Sequence, residues 1–371
     1  MNRSLLVGLG LGFVFSALLG LRSANYQPGV AAEPEAGKTE AVAAVPLRTY
    51  DNTLTLIKGP QPLLADYPEF IEPVMETRRY EAARLVDDAQ GNLDVRAWRF
   101  SYNARGIIEM PNRLRAEQTA VIVVHPWSVD DEWGWKTPEP NGAVDFCTPE
   151  KNALAYRHTK EVIDPFLKRL RGKAGLVMYS LIGPSDAIRR KAYRTIHGTP
   201  SAAEQAVGRE ELRKSLAVPA YTGQPLPTSL MLGSDTPVLD YFRQFRGLDA
   251  GERYNGGGFW QLPIAVSTAI SAQPTDVLIF DEDGYPPLRD FLRRQGIRHI
   301  LLAGYATDMC FCRTTAGYEN LSQDFNVFLV GDATLATFPA NSSPRFATNA
   351  HISFAAIDHL ITQVSWVQLK H

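Results

Sequence analysis

Residues 275–333 read TDVLIFDEDGYPPLRDFLRRQGIRHILLAGYATDMCFCRTTAGYENLSQDFNVFLVGDA. Three apolar runs, TDVLIF, HILLAG and FNVFLVGDA, are too continuous for a surface strand and suit strands buried on both faces. Between the first two, PPLRDFLRRQG sets Leu288, Phe291 and Leu292 at helical spacing, with Gly296 as the stop. Between the last two, TDMCFCRTTAGYENLSQ predicts a second helix. Strand and helix alternating in this way require a parallel sheet covered by helices on both faces. The fold class follows: three-layer α/β/α with a mainly parallel sheet.

Working outward, AVIVVH (Ala120–His125) and GLVMYSLI (Gly175–Ile182) add two strands of the same kind. Ile163, Phe166, Leu167 and Leu170 recur at helical spacing, with Asp164 and Pro165 as the expected start. ATNAHISFAAIDHLITQ (347–363) predicts a closing helix. The main domain is therefore expected over 119–371, with residues 183–274 as an insertion, because they are punctuated by Gly and Pro and hold one helix signal, AAEQAVGREELRKSL. Residues 48–118 form a β-rich extension, in which RYEAARLV and LDVRAWRFSY flank DDAQGN and predict a hairpin. Residues 25–47, rich in Ala, Pro, Glu and Gly, read as a linker. Leu5–Leu21 is an unbroken apolar or small-residue run between Arg3 and Arg22, so residues 1–24 read as a signal peptide or an uncleaved membrane anchor. Either places the catalytic domain outside the cytoplasm, periplasmic or membrane-anchored.

The 371 residues are 45% hydrophobic and 21% charged, a composition that excludes a disordered or collagen-like chain. A net charge of -2, from 38 basic and 40 acidic residues, offers no surplus to neutralise phosphates, so no nucleic-acid partner is expected. Three cysteines, Cys147, Cys310 and Cys312, are too few for a disulfide framework. A small-molecule substrate is the expected partner; homo-oligomerisation is left open.

Ligands of parallel sheets sit at the carboxyl ends of the strands. There the sequence sets His125 after VIVV, Asp281, Glu282 and Asp283 after VLIF, and Tyr305 to Cys310 after LLAG. Cys310 lies in the first turn of the helix that follows Gly304, where free N–H groups and the positive end of the dipole favour a thiolate. This segment, GYATDMCFCRTTAGYENLSQDFNVFLVGDA, resembles the nucleophile segment of the isochorismatase-like cysteine hydrolases, and the resemblance runs from about Thr119 to His371 outside the insertion. It implies Cys310 as nucleophile, a cis Tyr305–Ala306 peptide, and an oxyanion hole from the N–H groups of Ala306 and Cys310. The family's Asp at the end of the first strand and its Lys before the nucleophile strand correspond here to His125 and Asp281. A Cys310–His125–Asp281 arrangement is chemically complete: the imidazole takes the thiol proton and the carboxylate orients the imidazole. Asp130, Asp131 and Asp145 stand nearby as other acids.

Trp127, Tyr285 and Tyr305 are expected to line the substrate pocket, with Trp133 and Trp135 close to its mouth. No Asp-x-His occurs and the histidines show no ligand-like pairing, so neither metal nor other cofactor is expected. Cys310 and Cys312 point to different helix faces, which argues against a local disulfide or metal pair; Cys312 is expected in the core. The expected function is an exported cysteine hydrolase acting on a small amide, carbamoyl or related C–N substrate through a thioester at Cys310. The alternative is a catalytically inactive isochorismatase-like binding or assembly protein.

Overall fold

The computed structural model describes residues 53–58, 65–70, 78–101, 106–132, 149–217, 224–225, 253–254, 262–307, 309–336 and 366–370. The expected closing helix, the linker, the apolar N-terminal run, Trp133, Trp135, Asp145 and Cys147 lie outside these residues. In chain order the strands are β1 (Leu54–Ile57), β2 (Arg79–Ala82), β3 (Leu93–Ser101), β4 (Gly106–Leu114), β5 (Thr119–Val124), β6 (Leu176–Leu181), β7 (Arg194–Thr195), β8 (Gln224–Pro225), β9 (Arg253–Tyr254), β10 (Val277–Phe280), β11 (His299–Tyr305), β12 (Asn326–Leu335) and β13 (Trp366–Val367). Strands β8 and β9 pair with each other alone; the others form one sheet, in the order β1-β2-β4-β3-β13-β12-β11-β5-β6-β10-β7.

From β13 to β7 every neighbouring pair is parallel. The apolar runs explain why: every residue of β5, β6, β10 and β11 is buried, a pattern that needs helices over both faces. Ile122, Met178, Ile279 and Leu302 form the middle of the core. Each such burial contributes about 1.5–3 kcal/mol. The helix at Tyr285–Arg294 carries Leu288, Phe291 and Leu292 into that core. It ends where Gly296 takes φ +73°. The insertion holds the expected helix, Ala202–Ala217, and one the sequence did not signal, Ala187–Ala192.

The β-rich extension differs from the expected layout in two ways. The hairpin is β3–β4, from Leu93 against Leu114 to Ser101 against Gly106, one strand later than anticipated. DDAQGN does turn, with the Gln90 N–H donating to Asp88 Oδ1 at 2.9 Å. The chain before it, however, runs beside β4, where the Arg113 N–H donates to the Val86 carbonyl and the Asp88 N–H to the Arg113 carbonyl. That leaves β2 parallel to β4 on its far side. The extension also continues the main sheet, since β3 pairs antiparallel with β13 at Trp98–Trp366 and Ala97–Val367.

Two helix expectations change as well. Asp164 starts no helix: Pro149–His158, a wider turn at Thr159–Ile163, and Asp164–Leu170 follow one another without a break. Its carboxylate instead accepts from the Ser271 N–H at 2.8 Å and from Lys168 at 2.7 Å. The helix expected after Asp308 is two short ones, Cys310–Arg313 and Tyr318–Leu321. At Gly317, between them, a Cβ would lie 2.6 Å from the Cys312 carbonyl oxygen, so the chain folds back tightly there.

Candidate active site

Strand order places the site. From β5 the chain moves to β6 and β10 on one side, then crosses to β11 and β12 on the other, so the order in which strands are added reverses between β5 and β11. That switch point is where a parallel sheet opens a crevice for ligands. His125 follows β5 and Cys310 follows β11, one on each side of it; Asp281 follows β10, and β6 lies between β5 and β10. Gly304 makes the two strand ends meet: it holds φ +108°, and a Cβ there would sit 2.1 Å from the Val124 carbonyl oxygen. The Tyr305–Ala306 peptide is cis. Cys310 opens its helix, so its N–H belongs to the first turn, whose donors have no acceptor within the helix.

His125 takes a left-handed backbone, φ +51°, in which its N–H donates to the Ser180 carbonyl at 2.8 Å. The ring is 2% exposed, and its Nε2 lies 2.8 Å from Asp281 Oδ2. Nδ1 is buried and makes no formed hydrogen bond among the described residues. Burial alone would lower the imidazole pKa. The charges of Asp281 and Cys310, and their hydrogen-bonding capacity, outweigh it and raise the value to about 10. The ring is therefore an imidazolium at neutral pH, donating Nε2–H to Asp281, with Nδ1 as the nitrogen left to the sulfur. The indole of Trp127 stacks on it, centroids 5.6 Å apart at 28°.

Residues 280–357, which include Asp281 and Cys310, match the isochorismatase domain family. That stretch is isochorismatase-like. Among solved structures it is similar to a cysteine hydrolase from Pseudomonas syringae pv. phaseolicola 1448A, at 19% identity over 68% of this chain and 89% of that one, TM-score 0.33. It is also similar to the nicotinamidase of Staphylococcus aureus, at 13% identity over 67% and 98%, TM-score 0.29. A third is PnC1 from L. infantum in complex with nicotinate, at 14% identity over 69% and 93%, TM-score 0.31. A comparison with curated proteins finds no match. His125 and Asp281, the two positions at which the sequence differs from the pattern of the family it resembles, contact each other.

A cleft opens over Cys310, and His125, Trp127, Tyr305 and Ala306 are among its walls. Tyr285, expected there, is not: its hydroxyl donates to Asp324 Oδ2 at 2.6 Å, which turns the ring to the side of the helix that faces the turn before β12. Asp130 and Asp131 stay out of the cleft too. The first accepts from Asn152 Nδ2 at 3.0 Å; the second is held by Ser128 and by the Thr268 N–H at 2.9 Å. Cys312 is half-buried rather than core, its thiol donating to the Thr307 carbonyl at 3.1 Å. Among the described residues no group of three or more His, Cys, Asp or Glu side chains could hold a metal ion.

Several contributors escaped sequence reading. Lys151, Asn152, Ala155 and Met309 also line the cleft. Behind it His158 is fully buried, with Nε2 donating to the Asp332 carbonyl at 2.7 Å and Nδ1 facing the Tyr305 hydroxyl at 2.8 Å. Burial, aided by the charge of Arg157, lowers the His158 pKa to about 4, so the ring is neutral. Thr159 completes the anchor of Tyr305, Oγ1 to hydroxyl 2.7 Å. Around Asp281, Ser180 and Thr314 both donate to Oδ1, and Thr315 donates to the main-chain carbonyl. Ser180 carried a usable signal: it is a polar residue one position from the end of a wholly buried strand.

Proposed function

We propose that the protein is a cysteine hydrolase acting on a small amide, carbamoyl or related C–N substrate, with Cys310 as nucleophile, His125 as acid and base, and Asp281 as the group that orients His125. The observation carrying this reading is the buried His125–Asp281 pair, whose imidazolium is raised to about 10 by both Asp281 and Cys310. In the reaction His125 Nδ1 is the nitrogen that takes the Cys310 proton. Sγ attacks the substrate carbonyl carbon, forming the C–S bond as the carbonyl electron pair moves to oxygen, where the N–H groups of Ala306 and Cys310 stabilise it. Collapse of this intermediate breaks the C–N bond, and the leaving nitrogen takes the proton from His125 Nδ1. Water then attacks the thioester while the neutral imidazole removes its proton, restoring imidazolium and thiolate.

The cleft walls suit a compact substrate: Trp127, Ala155 and Met309 offer apolar surface, and Asn152 can orient a polar group. The test is release of ammonia or amine from a panel of small amides and N-carbamoyl compounds. Cys310→Ala is expected to lower the rate about 10⁴-fold or more, and His125→Ala about as much, because groups acting as a unit do not contribute additively. If no compound is turned over and the thiol of the native protein proves unreactive, the protein is a binding module. Export belongs to the same proposal and rests on Leu5–Leu21. Among the described residues no helix is long and apolar enough to cross a membrane. An intact N-terminus in the soluble cytoplasmic fraction, read by mass spectrometry of native material, would refute it.

A further inference from the structure

Asp281 uses its two oxygens differently. Oδ2 meets His125 Nε2 at 2.8 Å. Oδ1 accepts from the hydroxyls of Thr314 and Ser180, the latter at 3.2 Å. Both donors are tied to the reacting groups. The Thr314 N–H donates to the Cys310 carbonyl at 3.0 Å, which puts Thr314 at the end of the nucleophile's own helical turn. Ser180 is fully buried, and its carbonyl accepts the His125 N–H. The carboxylate is thus pinned from the Cys310 side by one hydroxyl and from the His125 side by another. A carboxylate left with one partner can rotate about its terminal torsion, which is broad and roughly two-fold, and so loses its aim at the imidazole.

From this geometry we infer that Thr314 and Ser180 are positioning residues: their hydroxyls clamp Asp281 Oδ1 so that Oδ2 faces His125, and Thr314 couples that aim to the turn carrying Cys310. The inference rests on the Cys310–His125–Asp281 reading above. Hydrogen bonds to a carboxylate favour its charged form, and the charge on Asp281 sustains the imidazolium. The charged groups that act on the ring are Asp281 and Cys310. Losing a clamp hydroxyl therefore shifts the His125 titration, whereas loss of a packing contact alone would leave it in place.

The experiment follows the His125 ring signals by NMR against pH in the full chain and in four variants. Thr314→Val, which keeps the shape and removes the hydroxyl, is expected to bring the midpoint down from about 10 by about one unit or more, and Thr314→Ser to restore it. Ser180→Ala is expected to shift it in the same direction, and supplies the reading should Thr314→Val fail to fold. Asp281→Asn is the reference and is expected to give the largest fall. If Asp281→Asn lowers the midpoint while Thr314→Val and Ser180→Ala leave it unchanged, the clamp is refuted and the triad stands. If Asp281→Asn also leaves it unchanged, the triad reading itself fails and the clamp with it.

Discussion

At the residue scale the proposed chemistry depends on one buried imidazole. His125 is held by its backbone to Ser180 and by its ring Nε2 to Asp281. Asp281→Asn keeps the shape but removes the charge; it is expected to slow alkylation of Cys310 at neutral pH by at least about tenfold, measured with iodoacetamide, because the imidazolium loses its counter-ion. Trp127→Ala uncovers the ring face and is expected to weaken binding more than turnover, read as a rise in KM exceeding the fall in kcat. The positions of His125 and Asp281 were readable because each directly follows an apolar strand, and that of Cys310 because it lies at the start of the helix after the next one, β11. Tyr285 was misread: proximity to Asp281 along the chain says nothing about which side of a helix its ring occupies, and its partner Asp324 lies 39 residues on. Thr314 and Ser180 were invisible as partners of Asp281 for the same reason: their contacts span 33 and 101 residues.

At the element scale the site depends on how closely β5 and β11 approach. Gly304→Ala would drive a Cβ into the Val124 carbonyl at a φ of +108°. The expected cost is about 3 kcal/mol or more, combining backbone strain with displacement of the strand end that carries His125. Chemical denaturation measures the loss, and activity should fall with it even under conditions where the protein stays folded. Leu302→Ala, in the middle of β11 and fully buried, is expected to cost about 2–5 kcal/mol while leaving the geometry of His125 and Asp281 intact. The parallel strands were readable because burial on both faces leaves an uninterrupted apolar run. The hairpin was displaced by one strand because a turn signal fixes where the chain bends and not which neighbour the preceding strand selects. The helix after Met309 breaks because Gly317 packs against the Cys312 carbonyl oxygen, a contact with no period in the sequence.

At the scale of the whole molecule, folding gathers groups whose titration sets the stability profile. His125 is raised to about 10 from 6.5, so its contribution is complete below about pH 6.5 and is lost as pH climbs towards about 10. His158 and His299, both lowered to about 4 by burial first, bind protons more readily when unfolded and add stability as pH rises from about 4 to about 6.5. Asp332, raised to about 7 by burial from 3.8, is favoured folded when protonated and loses stability over that interval. Two histidines outweigh one aspartate below about pH 6.5, and above it Asp332 and His125 both act downwards. Tm is therefore expected to peak near pH 6 to 7, and His125→Ala should flatten the alkaline side; a native Tm that stays level from about pH 7 to 9 would contradict this. The central claim, that His125 and Asp281 hold Cys310 as a working nucleophile, is tested most directly by the rate of Cys310 carboxamidomethylation at pH 6, resolved from Cys147 and Cys312 by peptide mass spectrometry. An ordinary thiol is thiolate to roughly 0.3% at that pH. The account predicts rapid, selective modification of Cys310 that falls about 100-fold in His125→Ala. Modification of Cys310 at the pace of an ordinary thiol, unchanged by His125→Ala, would contradict it.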